Sequence, residues 1–187
     1  MKLPLLLAFA CTAFAQVATP VSVTTKVPCS NAAGPKIAPQ SFVDLERRFN
    51  DQLTRFKDPI DTFGSARAIY LRDYGLMISS EISLIQTPAP MPFRQEIPKE
   101  LRAQVHERKL AQLPLLKKSM QEMAKTAAMT LVAAIGIQQY ESSGLQVAVV
   151  VRMVYLPYED TSGLPAQIIV QANLKNAVAG NFQEEQQ

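Results

Sequence analysis

Thirteen prolines, most of them in clusters, decide where this 187-residue chain can be helical. Proline fixes φ, lacks an N–H and pushes the residue before it out of the helical region. Pro20, Pro28, Pro35 and Pro39 exclude a helix over residues 16–40, a stretch of Val and Thr with almost no charge. It reads as an extended arm in which Val21 to Val27 can add an edge strand. Pro59 stops whatever precedes it. Pro88, Pro90 and Pro92 make a stiff spacer. Pro98 suits the first turn of a helix, and Pro114 must kink that helix or start another.

Between these breaks, periodicity assigns the elements. Phe42, Leu45, Phe49, Leu53 and Phe56 recur at helical spacing on one stripe. Ser41 offers an N-cap with Asp44 three residues on, and the helix should end near Lys57. Ala66 to Arg72 and Leu76 to Ile85 read as strands joined by the turn Asp73-Tyr74-Gly75. Lys99 to Leu113 has good helix formers but a blurred apolar face. Leu116, Met120, Met123, Ala127, Leu131 and Ala134 then form a clear one, ended by Gly136 or Gly144. Leu145 to Leu156 and Ala166 to Leu174 alternate as strands around the loop 157–165.

This order implies a two-layer α+β fold: about four strands from two β-hairpins (66–85 and 145–174), an N-terminal helix and a long Pro-interrupted helix. The organisation read is 1–15 signal peptide, 16–40 Pro-rich arm, 41–175 single α+β domain and 176–187 flexible tail. The signal peptide rests on Lys2, the apolar run Leu3 to Ala10 and the Ala13-x-Ala15 site. The run is shorter than the ~20 residues a membrane span needs. Lipidation at Cys11 is the competing reading, but Ala8 and Phe9 fit a lipobox poorly. Cleavage after Ala15 removes Lys2 and Cys11. The formal charge falls from +3 to +2, and Cys29 is left without an intramolecular partner. The expected location is periplasmic or extracellular, with no transmembrane segment in the mature chain and no nucleic-acid partner.

One His and few Cys leave little material for a zinc site or a His-based triad. Glycine-rich phosphate loops and the G-x-S-x-G elbow are absent. No catalytic residue, metal site or cofactor is nominated. His106 reads as a solvated surface residue. The loop pair Glu159–Asp160 reads as a turn former. Arg67, Glu81 and Arg152 interrupt the less apolar faces of their strands. They are either cross-strand ion pairs or the floor of a ligand site. Lys99 to Lys125 is basic, but its Met, Ala and Leu stripe suits packing on a sheet better than a lipid surface.

The segments ARAIYLRDYGLMISSEISL (66–84) and VAVVVRMVYLPYEDTSGLPAQIIVQA (147–172) resemble a group of uncharacterised exported bacterial proteins, through Arg67, Tyr70, Tyr74, Gly75 and the strand ending in Tyr155. The resemblance covers roughly residues 41–174. It implies the fold and no activity or functional residue. The element order is also similar to roadblock and longin-like modules, in topology only. The leading expectation is a non-enzymatic module that binds another envelope protein or itself, with the arm and the sheet edges as places for strand addition. A small-molecule sensor using Arg67, Glu81 and Arg152 is the alternative, and a carboxylate hydrolase the third.

Overall fold

The structure, a computed structural model, describes residues 36–85, 97–137 and 143–187. The signal peptide with Ala13 and Ala15, Cys11, the possible strand at Val21 to Val27, Cys29 and the Pro88–Pro92 spacer lie outside the described residues. The elements run α1 (Pro39–Thr54), β1 (Asp61–Thr62), β2 (Arg67–Leu71), β3 (Gly75–Ser83), α2 (Lys99–Ile135), β4 (Gln146–Met153), β5 (Gln167–Asn173), α3 (Leu174–Ala179) and β6 (Gln183–Gln186).

The architecture is mixed α+β, with a sheet of six strands rather than four. Both hairpins form, β2 with β3 and β4 with β5, each antiparallel. They join through β3 and β4, which pair in parallel from Gly75↔Gln146 to Ile82↔Met153. A parallel neighbour demands a crossover, and α2 supplies it. The two added strands are short. β1 continues the β2 edge along β3, and β6 closes the far edge on β5.

The three helices bury one face of the sheet. Leu76, Ile78, Ile82, Val147, Val149, Val151, Ile168 and Val170 are fully buried there, under Leu45, Phe49 and Leu53 of α1 and Leu116, Met120, Met123 and Leu131 of α2. Pro114 does not end α2, which continues for 37 residues with its proline exposed. The blurred face of its first half is explained by polar residues pointing inward: Lys109 and Gln112 are buried beside Val105 and Leu113. Gly136 caps the helix at φ 87°.

Two local expectations are corrected. The helix α1 starts at Pro39, with Ala38 extended before it and no side-chain cap. Proline in the first turn sets the entry, so Ser41 lies inside the helix rather than at its cap. The helix also ends earlier than expected, at Thr54. The second correction is the tail. Residues 176–187 are not without structure. Leu174 and Ala177 are buried, Phe182 packs on the core, and β6 adds to the sheet. Asn173 caps α3, its Oδ1 accepting from the Asn176 N–H at 2.8 Å.

Gly75 holds the seam between the hairpins. It sits at φ +133°, and a Cβ there would lie 1.9 Å from the Gln146 carbonyl oxygen. Asp73 in the preceding turn takes φ 66°, a conformation that Asp tolerates better than most residues.

Candidate functional site

The uncovered face of the sheet carries the residues that the sequence singles out. Strand register fixes their neighbours. One row across the sheet reads Arg67, Ser79, Val150, Ile169 and Glu185, from β2 to β6. The next reads Ile69, Met77, Ala148, Gln171 and Gln183. Beyond the first row, Glu81 stands opposite Arg152. Met77, Ala148, Val150 and Ile169 thus make an apolar centre, with Arg67 and Glu185 at the two ends of one row, Glu81 and Arg152 beyond it, and Gln171 and Gln183 on the β5–β6 side. Ile69 and Leu71 remain 45% and 41% exposed, and no described helix packs over them.

Glu81 and Arg152 meet directly, Arg152 Nη1 donating to Glu81 Oε1 at 3.2 Å. Both side chains are well exposed, so the pair contributes little, about 0–1 kcal/mol. Arg67 shares the face one row away but forms no ion pair with either. The ion-pair alternative thus describes Glu81 and Arg152, with Arg67 beside them.

The two edges of the sheet differ. On the β2 edge, α1 side chains occupy the outward N–H groups: Glu46 Oε1 accepts from Ala68 and Asn50 Oδ1 from Ala66. Strand addition there is blocked over the first half of β2. On the β6 edge all four residues are exposed.

On the helix side, the loop 157–165 packs against the first half of α2. Lys109 Nζ donates to Glu159 Oε2 at 2.7 Å, with side chains only 1% and 6% exposed. The ammonium also lies 5.5 Å from the centroid of the Tyr155 ring. Glu159 Oε2 accepts from the Leu156 N–H as well. Burial and the Glu159 carboxylate push the Tyr155 hydroxyl up to about 12, and it donates to the Pro165 carbonyl at 2.7 Å. Glu159 is thus half of a buried ion pair, beyond the turn role read from the sequence. Asp160 does form the expected turn, accepting from the Ser162 N–H, and hydrogen bonds from Ser162 hold its carboxyl below the usual range. His106 is half-buried rather than fully solvated. Its Nδ1 lies 3.0 Å from the Asp160 carbonyl, which can only accept, so Nδ1 carries the proton.

Glu81 belongs to the uncovered face, whereas Glu159 is buried against α2 on the helix side. These carboxylates do not converge as a hydrolase pair requires. Among the described residues no cluster of His, Cys, Asp and Glu is placed to hold a metal ion. Among them, too, no helix is long and apolar enough to cross a membrane.

The sequence reading missed Lys109. Its signal was the blurred helix face, since a lysine at an inward position erases the apolar stripe.

Fold and site together define a class: a two-layer α+β protein with helices on one side of a mixed sheet and an apolar, charge-rimmed face on the other. Comparison with protein-family models, with curated proteins and with solved structures finds no match.

Proposed function

We propose that this is an exported, non-enzymatic interaction module that associates with a second copy of itself through the uncovered sheet face. The observation that carries the reading is the row with Arg67 at one end, Glu185 at the other and Val150 and Ile169 between. A two-fold axis parallel to the strands lays β2 of one copy over β6 of the other. Arg67 then faces the second copy's Glu185 twice over, and Val150 lies on the axis against itself. An apolar centre inside a polar rim is the usual anatomy of a protein interface. Export is supported by the Met1-Lys2 start, the apolar run and Ala13-x-Ala15.

Sedimentation and light scattering on the purified protein test the association. A dimer is expected. Ile69→Lys, on an exposed position of an edge strand, should make it monomeric. Arg67→Glu should weaken it, and the exchange Arg67→Glu with Glu185→Arg should restore it. A wild-type monomer at all concentrations, or a dimer indifferent to these changes, refutes the reading.

A further inference from the structure

We propose that a carboxamide-lined pocket at the end of the sheet, where β4 and β6 begin and β5 passes into α3, binds a neutral sugar. The cavity measures about 230 Å³. Its lining is Gln146, Gln171, Asn173, Asn176, Asn181 and Gln183, with Ala172 the only other residue and no ionisable group. Strand register builds half of it: Gln146 stands opposite Asn173, and Gln171 opposite Gln183, all on one face. The turn after α3 builds the rest. Gly180 takes φ +85° there, and the Asn181 N–H bonds back to the Asn176 carbonyl at 2.8 Å. Asn176 and Asn181 are thereby fixed next to the strand ends.

Two of the six carboxamides are partly engaged. Asn173 Oδ1 caps α3, and Gln171 Nε2 donates to Glu185 Oε1 at 3.2 Å. The side chains of Gln146, Asn176, Asn181 and Gln183 make no hydrogen bond to another described residue. Each presents one acceptor and one NH₂ group. A ligand matching this set must both donate and accept at closely spaced points and carry no net charge, which is the chemistry of sugar hydroxyls. An anion would find no cation in the lining. An apolar ligand would strip water from amides and give nothing back, a costly exchange. The concave shape at the strand ends suits one or two sugar rings better than an extended peptide.

The test is titration calorimetry and saturation-transfer NMR on the full protein with glucose, N-acetylglucosamine and maltose, against glucuronate and an N-acetylated peptide amide. At least one neutral sugar should bind saturably, and glucuronate and the peptide should not. Asn176→Ala with Asn181→Ala should weaken binding by about tenfold or more, because groups built to pair with hydroxyls are removed. Should that pair fail to fold, Gln146→Ala and Gln183→Ala, made singly, should give the same loss. Gln171 and Gln183 share a row with Ile69 on the face proposed for association, so the monomeric Ile69→Lys protein should bind sugar at least as tightly as the wild type, and its titration reads the pocket separately from association. No neutral sugar bound, equal binding of glucuronate or the peptide amide, or wild-type affinity in folded carboxamide variants overturns the proposal.

Discussion

Replacing Lys109 by methionine asks what a buried charge is worth in this fold. The ammonium and the Glu159 carboxylate are 2.7 Å apart, and neither side chain is more than 6% exposed. At that separation, with an effective dielectric of about 20, the mutual attraction is ~6 kcal/mol. Withdrawing the two ions from water costs several kcal/mol each, so the intact pair adds little net stability. Its two halves are another matter. Lys109→Met leaves the Glu159 carboxylate buried without the cation that faces it, the Leu156 N–H still donating to it. It also removes the cation from the Tyr155 ring. The expected loss is about 3–5 kcal/mol, a large share of a domain's stability. The double change Lys109→Met with Glu159→Leu should recover most of it, since two apolar side chains then fill the same space. Urea unfolding followed by far-UV circular dichroism measures all three proteins. A single-variant loss below about 1 kcal/mol, or a double variant as unstable as the single, refutes the reasoning.

Three further outcomes follow from the same geometry. Gly75→Ala should cost about 2 kcal/mol or more in denaturant unfolding, because a Cβ at that backbone angle collides with the Gln146 carbonyl and the parallel seam must open. Ser80→Ala should be neutral or stabilising by up to ~1 kcal/mol in thermal unfolding, since the buried Ser80 hydroxyl has no hydrogen-bond partner. The raised titration of Tyr155 makes stability complete below pH 10 and declining as pH climbs toward about 12. Allowing for solvent at a half-buried ring, the decline is ~1 kcal/mol, and Tyr155→Phe should abolish it while losing the bond to Pro165 at every pH.

Local rules reached most of the elements. Alternation located β2 to β5, and the 3–4 spacing located the Phe and Leu stripe of α1 and the Met stripe of α2. The parallel seam escaped them because it is decided by what α2 spans, not by any residue in the two strands. A 37-residue helix is about 55 Å long, enough to carry the chain from the end of β3 back to the start of β4. β6 escaped for a different reason. Its sequence, QEEQ, has no apolar alternation and pairs through the backbone, steadied by Gln121 donating to Glu184 at 2.6 Å. Of the candidate site, the clustering of Glu81 and Arg152 was legible from strand parity. The carboxamide pocket was not, since it needs the register of three strands and the turn after α3 at once.

The parallel seam also sets the order of folding events. Each hairpin joins residues close in the chain, and α2 is local by nature. Gly75 and Gln146 lie 71 positions apart, so the centre of the sheet closes only after a long loop has been gathered in. Until then β3 and β4, the strands most buried in the finished sheet, each present a bare edge. A chain caught before that closure would expose its future middle as open strand edges, and shielding β3 and β4 until the seam forms is the protection against aggregation that this topology calls for.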